Sequence, residues 1–249
     1  IVVATPGRLI DLAKRKAVDL QKVKTVILDE ADEMLSMGFK KELDEILEFL
    51  SEAESKWLFS ATMPVGIKQI VNEHMNANAH RITVSGSNVV NTKIDHKFVL
   101  CEDADKFNIL LQFLNSVKGQ RGIIFCRTRK ETKKLAAKLI AKNMSSDAIH
   151  GDLLQKERDK VMRAFKNENL STIVATDIAA RGIDMSDLTF VVHYQLPDQD
   201  EYYTHRSGRT ARAGKEGISL VLANRYEIKK IRNYEKYLRI SFSKVKVIK

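Results

Sequence analysis

Short apolar runs alternate with amphipathic segments along the whole of this 249-residue chain. One of these runs, Thr25–Leu28, ends abruptly in the acidic stretch Asp29-Glu30-Ala31-Asp32. Short, continuous apolar runs are typical of strands that are buried on both faces of a parallel sheet. The pattern therefore predicts such a strand at 25–28, with a cluster of carboxylates at its carboxyl end.

Further strands and helices are predicted to alternate on both sides of a short polar stretch. In the first part of the chain they are the end of a strand at 1–4, helices at 9–16, 40–51 and 65–78, and strands at 57–59 and 81–84. In the second part they are strands at 97–101, 122–126, 148–150, 171–175, 190–194 and 218–222, and helices at 105–117, 130–142, 155–166, 200–206 and 225–238. Alternation of this kind predicts an α/β fold built on parallel sheets.

The polar stretch Ser85-Gly86-Ser87-Asn88 separates the two series of elements. Small polar residues with glycine are typical of flexible linkers. We therefore predict two domains, 1–88 with the start of the linker and 89–249 as a complete α/β domain. Because the chain begins without Met and within an apolar run, we expect the first domain to be incomplete at its N-terminus.

Charge is distributed unevenly between these two parts. Residues 1–88 contain 11 Lys and Arg against 13 Asp and Glu, whereas residues 89–249 contain 31 against 19. Such an imbalance favours a polyanionic partner that contacts mainly the second part, although a basic solvated surface would give the same counts. No apolar run approaches the ~20 residues of a membrane span, so no membrane partner is expected.

The two cysteines, Cys101 and Cys126, lack the spacing of metal ligands, and no cluster of histidines lies near them. A reduced compartment, cytosolic or nuclear, is the simplest interpretation, and we predict a cytoplasmic location.

Two interpretations of the acidic stretch remain open at this point. Open α/β sheets place ligands at the carboxyl ends of their strands, where acids commonly face a cation or a water to be activated. The same acids could instead form a solvated turn that favours the N-terminus of the next helix.

Seven short stretches occur in a fixed order along the chain. They are Thr5-Pro6-Gly7-Arg8, Asp29-Glu30-Ala31-Asp32, Ser60-Ala61-Thr62, Ile123-Ile124-Phe125-Cys126-Arg127-Thr128, Gln155-Lys156-Glu157-Arg158, Ala175-Thr176-Asp177 through Ala180-Arg181-Gly182-Ile183-Asp184, and His205-Arg206-Ser207-Gly208-Arg209-Thr210-Ala211-Arg212. In content and order they resemble the DEAD-box family of ATP-dependent RNA helicases, and the resemblance covers essentially the whole chain. It implies two RecA-like parallel-sheet domains, ATP and Mg²⁺ as cofactors, and local separation of short RNA duplexes.

The resemblance also implies roles at the nucleotide. Asp29 would hold Mg²⁺ through water, and Glu30 would activate the attacking water. The remaining residues implied at the nucleotide or between the domains are Asp32, Ser60, Thr62 and His205 for interdomain coupling, Asp184 for the ribose, and Arg209 and Arg212 for the transition-state charge. In isolation the arginines could form a surface salt bridge, and His205 could be a core residue.

RNA contact in this family is mostly to the sugar–phosphate backbone of a single strand. The residues that match this RNA track are Thr5, Gly7, Arg8, Arg127, Gln155, Arg158, Thr176 and Gly182. For Gln155 and Arg158 an alternative stays open, because both could simply start and cover a helix.

Two departures from the family pattern affect local contacts rather than catalytic groups. The family usually has Gly where this chain has Ala211, and commonly has Asp where this chain has Gln195. The family's phosphate-binding loop, which ends Gly-Lys-Ser/Thr, does not occur in residues 1–249, since the one Gly-Lys pair, Gly214-Lys215, is followed by Glu216. We therefore expect these residues alone to hydrolyse ATP negligibly.

Two rival functions remain at this stage. The first is a non-catalytic RNA-binding or scaffold fragment that keeps the fold. The second is a DNA helicase or translocase of the same superfamily, which the spellings Asp-Glu-Ala-Asp and Thr-Pro-Gly-Arg disfavour.

Overall fold

The computed structural model describes residues 1–83, 91–180, 188–212 and 214–245. Contacts within the chain divide it into two compact units, Ile1–Val84 and Ser85–Lys249. The predicted linker at 85–88 lies outside the described residues, and so do the predicted site residues Gly182 and Asp184.

The first unit contains a small parallel sheet and four helices. In chain order its elements are α1 (Pro6–Lys14), β1 (Thr25–Leu28), α2 (Ala31–Ser36), α3 (Lys40–Phe49), β2 (Ser55–Leu58) and α4 (Val65–His74). Strands β1 and β2 pair in parallel, with Leu28 opposite Leu58. Pro6 opens α1, where its fixed φ suits a helix start and its missing N–H leaves no donor unpaired.

Strand β1 is buried on one face only, which corrects the prediction of burial on both. Val26 and Leu28 lie in a core cluster with residues of α1, α3 and α4, whereas Ile27 is 62% exposed. The prediction was wrong because a continuous apolar run does not reveal how many layers cover a sheet. In this unit the described helices that pack on β1 all join the one core cluster that contains Val26 and Leu28, so they cover the same face of the strand.

Other elements of the first unit also differ from prediction. Residues 1–4 are exposed and pair with no described strand, and residues 81–83 form no strand, while Val84 lies outside the described residues. An apolar stretch becomes a strand only when it finds a hydrogen-bonding neighbour, which propensity alone does not supply. Helix α4 ends at His74 because the backbone of Met75 is extended, and the short α2 was not predicted.

The second unit is built on a larger parallel sheet. Its elements are β3 (Ile94–Leu100), α5 (Lys106–Ser116), β4 (Gly122–Phe125), α6 (Arg129–Ile140), β5 (Ser146–Ile149), α7 (Gln155–Lys166), β6 (Thr172–Ala175), α8 (Asp177–Ala180), β7 (Phe190–His193), α9 (Glu201–Ser207), β8 (Gly217–Ala223), α10 (Ile228–Leu238) and β9 (Ser243–Lys244). The strand order is β5-β6-β4-β7-β8-β3-β9, and every pairing is parallel. All predicted helices and strands of this part are present, with shifted ends, and the short α8 and β9 were not predicted.

Helices cover both faces of this sheet, so its central strands are almost wholly buried, and β4 is apolar at every position whereas β7 and β8 include the buried polar residues His193 and Ser219. In β4, Ile124 packs with α5 and α6, whereas its neighbour Ile123 packs with α7 on the other face. Successive side chains of a strand point to opposite faces, so a strand covered twice shows no polar alternation. The strand ends at Arg127, Thr176 and Gln195 consequently lie along one edge of the sheet.

A buried arginine joins the ends of three strands at this edge. Arg206, on α9, is 1% exposed and donates two hydrogen bonds to the carboxylate of Asp177, at 2.5 and 2.7 Å. Its Nη1 donates to the carbonyl oxygen of Gln195 (2.8 Å), and its guanidinium lies 5.0 Å from the ring centroid of Phe125. Bidentate pairing of this kind gives both attraction and fixed geometry.

A buried hydrogen-bond network also fixes α9, through Tyr203 and Ser207. His96 Nδ1 lies 2.6 Å from the hydroxyl of Tyr203, and His193 Nε2 lies 3.3 and 3.1 Å from the hydroxyls of Ser207 and Ser219. Burial lowers the pKa of His96 to about 4 and holds the pKa of His193 well below its ordinary value. Both imidazoles are therefore neutral at pH 7, and α9 is fastened to β3, β7 and β8.

Replacement of Arg206 by Ala should lower the free energy of unfolding by about 3–5 kcal/mol, because it leaves Asp177 in a partly buried site without its partner. The control is Arg232→Ala, which removes an ion pair with Glu235 whose arginine is 61% exposed and which should cost less than about 1 kcal/mol. Urea unfolding curves measure both. Equal losses in the two variants would contradict the role given to Arg206.

Acid should destabilise the second unit through His96. Between pH 6.5 and about 4 the unfolded chain takes up a proton that the native imidazole does not, so the free energy of unfolding falls as the pH falls. His96 alone should contribute a loss of roughly 2 kcal/mol between pH 7 and pH 5. The variant His96→Asn keeps a polar atom beside Tyr203 but does not titrate, so its stability should change less with pH. An unchanged pH dependence would refute this assignment.

Candidate functional site

The carboxyl end of β1 presents two acidic side chains to solvent. Glu30 has a left-handed backbone (φ 51°, ψ 46°) and precedes α2. This conformation costs a non-glycine residue about 1–2 kcal/mol, and such strain is concentrated at functional sites. Asp29 Oδ1 accepts the N–H of Glu30 (2.9 Å), and both side chains are exposed. The other oxygen of Asp29 makes no hydrogen bond to the described residues, and the role of Asp29 as a metal ligand stays a prediction.

Asp32 is held in place by the turn that follows β2. Its Oδ2 accepts hydrogen bonds from the N–H (2.8 Å) and the hydroxyl (2.7 Å) of Thr62, while the hydroxyl of Ser60 donates to the carbonyl of Thr62 (2.6 Å). Burial is the largest single influence and raises the pKa of Asp32, but the hydrogen bonds from Thr62, Ser60 and Ala61 together outweigh it, so the pKa lies below its ordinary value. The structure thus brings together these three predicted residues, whereas contact of Asp32 with His205 stays a prediction.

The backbone orders this region further. The N–H of Phe59 donates to the carbonyl of Leu28 (2.7 Å), and the N–H of Ala31 donates to the carbonyl of Phe59 (3.0 Å). The ladder of β1 and β2 therefore continues past both strand ends, which places the acidic stretch and the turn at 60–62 side by side.

Three predicted RNA-contacting residues lie in the first turn of α1. Thr5 is the N-cap, Gly7 and Arg8 follow, and all three are exposed. Arg8 Nη1 contacts Asp11 Oδ2 (2.7 Å), and Arg15 contacts the other oxygen of the same carboxylate. An exposed pair of this kind contributes little to stability, so the guanidinium of Arg8 can exchange Asp11 for another anion.

In the second unit Arg127 and Thr176 follow adjacent strands, β4 and β6. Arg127 is exposed, and its Nη1 lies 3.4 Å from Asp198 Oδ1. Thr176 is 8% exposed and directly precedes α8, and its carbonyl accepts the N–H of Ala180, the last residue of that helix. The two residues therefore lie on one edge, with Arg127 directed to solvent.

Gln195 explains one departure from the family pattern. Its Oε1 accepts the backbone N–H of Arg127 (3.0 Å), and its Nε2 donates to Glu131 Oε1 (2.5 Å). Glu131 also pairs with Thr128, the N-cap of α6, in a capping arrangement. A neutral amide can accept a hydrogen bond from the N–H and donate one to the carboxylate of Glu131. A carboxylate at this position could only accept.

Gln155 and Arg158 lie on the first turns of α7. Gln155 Nε2 donates to Asp159 Oδ1 (2.7 Å), so its amide is engaged along its own helix. Arg158 Nη2 donates to the carbonyl of Ala179 at the end of α8 (2.8 Å). Both side chains make contacts within the protein, as expected if they only start and cover a helix. Their role in RNA binding stays a prediction.

His205 lies on α9, and the two predicted arginines follow that helix. His205 and Arg209 are half-buried, and Arg212 is exposed, with its Nε donating to the carbonyl of Gly208 (2.9 Å). Ala211 is buried with φ 58°, the left-handed region that favours glycine, which explains why the family usually has Gly here. The amide of Asn91 donates to the carbonyl of Ala211 and supports this strained turn.

Sequence reasoning missed Arg206, Asp177 and the role of Gln195. The sequence does not mark Arg206 as a buried charge, because it lies in the same stretch as Arg209 and Arg212 and looks like a third arginine of the same kind. The capping pair of Thr128 and Glu131 did carry a signal, because Thr followed three residues later by Glu is the pattern of a capping box.

A second group of possible metal ligands lies outside this site. Asp44, Glu73 and His74 place their ligand atoms within 4.8 Å of one another. Lys40 Nζ lies 2.8 Å from Asp44 and 3.9 Å from Glu73, so an ammonium already neutralises these carboxylates. We interpret the group as an ion-pair network between α3 and α4.

None of the helices in the described part of the chain combines the length and hydropathy that crossing a membrane requires.

Comparison with known proteins gives matches along most of the chain. The DEAD/DEAH box helicase family matches residues 1–70, and the Helicase conserved C-terminal domain matches residues 105–214. The DEAD-box ATP-dependent RNA helicase CshA of Bacillus cereus is 39% identical over 236 residues, which cover 95% of this chain and 45% of that protein. The chain thus spans about half the length of the curated relatives it matches.

Solved structures agree in fold. Saccharomyces cerevisiae Dbp5 bound to RNA and ADP BeF3 is 31% identical with a TM-score of 0.89, covering 98% of this chain and 64% of that one. A DEAD box protein from Methanococcus jannaschii is 41% identical with a TM-score of 0.60, covering 99% and 66%. The predicted α/β fold with RecA-like parallel sheets is confirmed. The chain belongs to the DEAD-box family of ATP-dependent RNA helicases.

Proposed function

We propose that this chain is part of an ATP-dependent RNA helicase that couples ATP hydrolysis with Mg²⁺ to local separation or remodelling of short RNA duplexes. Within it, residues 1–88 belong to the first RecA-like domain and residues 89–249 form the second. The observation that carries the proposal is the exposed pair Asp29 and Glu30, held at the end of β1 by a strained backbone beside the clamped Asp32. A cytoplasmic location stays a prediction.

The residues of the first unit fit a bound Mg²⁺ and nucleotide. Asp29 offers a carboxylate oxygen that makes no hydrogen bond to the described chain, which suits an ion held directly or through water. Bound Mg²⁺ would supply charge neutralisation at the phosphates. Glu30 would accept the proton of the attacking water, and its exposure at the end of β1 leaves room for that water.

The second unit supplies positive charge for the same reaction. Arg209 and Arg212 follow α9, whose position is fixed by the buried Arg206. In phosphoryl transfer most of the rate comes from positioning and from neutralising charge in the transition state. We propose that Arg209 and Arg212 provide that neutralisation, that His205 couples to Asp32, and that Asp184 contacts the ribose.

RNA would be bound through its sugar–phosphate backbone. The exposed first turn of α1, with Thr5, Gly7 and Arg8, offers a cation and backbone N–H groups that no described residue accepts, and Arg127 offers a cation at the end of β4. Gln155, Arg158, Thr176 and Gly182 complete the proposed track. Because these groups recognise phosphate and sugar, binding should prefer single strands and depend little on base sequence.

Replacement of Glu30 by Gln in the full-length protein should reduce RNA-stimulated ATP turnover at least about 100-fold, while binding of ATP and RNA stays nearly unchanged. The amide keeps the size of the side chain but loses its basicity, so the loss falls on the chemical step. A phosphate-release assay measures turnover, and Glu48→Gln, at an exposed position of α3, is the matched control. Turnover of the variant within a few-fold of the wild type would exclude Glu30 as the base, whereas an absence of RNA-stimulated turnover in the wild type itself would favour the non-catalytic alternative.

Loss of the Arg127 cation should weaken single-stranded RNA binding and make it less sensitive to salt. Each phosphate contact removed should reduce the slope of log affinity against log salt by about 0.7. Fluorescence anisotropy of the full-length protein over a range of salt concentrations measures this for Arg127→Gln, with Arg81→Gln, an exposed arginine of the first unit, as control. A flat salt response of the wild type, or equal affinity for single-stranded DNA, would count against the proposal and favour the superfamily alternative.

A further inference from the structure

Helix α10 buries one side and leaves the other to solvent. Ile231, Tyr234 and Leu238 pack into the core cluster over β3 and β8. The exposed side recurs every three to four positions, as expected for an α-helix. We call it the α10 surface, and it comprises Arg225 and Tyr226 just before the helix and Lys229, Arg232, Lys236 and Tyr237 within it.

The two tyrosines of the α10 surface are unusually exposed. Tyr226 is 77% exposed and Tyr237 is 79% exposed, whereas Tyr203 and Tyr234 of the same unit are almost completely buried. The guanidinium of Arg225 lies 5.0 Å from the ring centroid of Tyr226. Exposed aromatic rings flanked by cations are the groups on which the bases of a single strand stack.

The cations of this surface are largely uncompensated. Arg225, Lys229 and Lys236 are exposed and form no ion pair among the described residues, while Arg232 pairs with Glu235. Lys230 behaves differently, because its Nζ donates to the carbonyls of Pro197 and Asp198. The positive charge that faces solvent therefore lies along the same side of the helix as the two rings.

The α10 surface begins at the sheet edge that carries Arg127. Strand β8 ends just before Arg225, and it pairs with β7, which in turn pairs with β4. Two strand spacings, about 10 Å, therefore separate the ends of β8 and β4. The loop at Asp198 connects the two places, since it contacts both Arg127 and Lys230.

We propose that the α10 surface is a second contact site for single-stranded RNA, in which Tyr226 and Tyr237 stack on bases while Lys229 and Lys236 neutralise phosphates. The inference rests on the proposed RNA-binding function but assigns residues outside its track. The surface has a ring near each end and cations between them, so a single strand that crosses it can place bases on the rings and phosphates on the cations. An acidic protein partner would need the cations alone, and it is an outcome of the test.

The first test replaces the rings in the full-length protein and measures affinity for a single-stranded RNA oligonucleotide by fluorescence anisotropy. The double variant Tyr226→Ala/Tyr237→Ala should bind about 30-fold more weakly, roughly fivefold for each stacked base. Tyr226→Leu/Tyr237→Leu should lose as much, because it keeps apolar area but no ring, whereas Tyr226→Phe/Tyr237→Phe should bind within about twofold of the wild type. Full affinity of the leucine variant would overturn stacking.

The second test replaces the cations. Lys229→Gln/Lys236→Gln should lower the slope of log affinity against log salt by about 1.4, or about 0.7 for each phosphate contact. The matched control Lys118→Gln/Lys142→Gln removes the same charge from exposed positions outside the α10 surface that form no ion pair with any described residue, and it should leave the slope unchanged. Equal changes in the two double variants would show a general charge effect and overturn the assignment.

Different results would refute the RNA track that includes Arg127 and the second contact site on the α10 surface. If Arg127→Gln weakens RNA binding while the tyrosine and lysine variants of the α10 surface bind normally, the second site is refuted and an acidic protein partner is the better occupant. If Arg127→Gln has no effect while the α10 variants weaken binding, the proposed RNA track is wrong and the α10 surface stands. Because every replaced side chain is exposed, the variants should keep the unfolding midpoint of the wild type.

Discussion

The second unit depends on one buried cation. Arg206 reaches Asp177 after β6, Gln195 after β7 and the ring of Phe125 at the end of β4, so three strands and α9 meet at one guanidinium. Removing a charge from water is costly unless every donor finds an acceptor, and here the planar fork matches the carboxylate. The polar network of His96, His193 and Tyr203 holds neighbouring positions of the same buried face of α9. Arg209 and Arg212 therefore follow a helix whose position is fixed by several buried polar contacts.

In the first unit, local hydrogen bonds and backbone conformation position the three acidic side chains that follow β1. Asp32 is immobilised by the backbone and hydroxyl of Thr62, which fixes the acidic stretch against the end of β2. Glu30 instead carries backbone strain and stays exposed, and Asp29 keeps an oxygen that no described group engages. Clamping one carboxylate while leaving two accessible suits a site where a cation and a water must enter, and it explains why three similar acids behave differently.

Much of the fold and of the site could be predicted, and the errors have identifiable causes. The elements of the second unit were predicted because its strands are short apolar runs separated by amphipathic helices. In the first unit the predicted strands at 1–4 and 81–84 are not formed by residues 1–4 or by residues 81–83, since a strand requires a neighbour that propensity does not provide. The site residues Asp32, Ser60 and Thr62 were predicted from their stretches and do meet. Arg206 and Gln195 were missed because burial and a bridging amide are properties of packing.

By itself, the sequence determined the alternation of strands and helices, the family, and the residues placed at the carboxyl ends of the strands. These features depend on periodicity and on short stretches, which are local properties of the chain. Only the tertiary structure decided the strand order, the one-sided burial of β1, the depressed pKa of His96 and the exposure of Tyr226 and Tyr237. Each of these depends on what packs against a residue, and distant parts of the chain supply those neighbours.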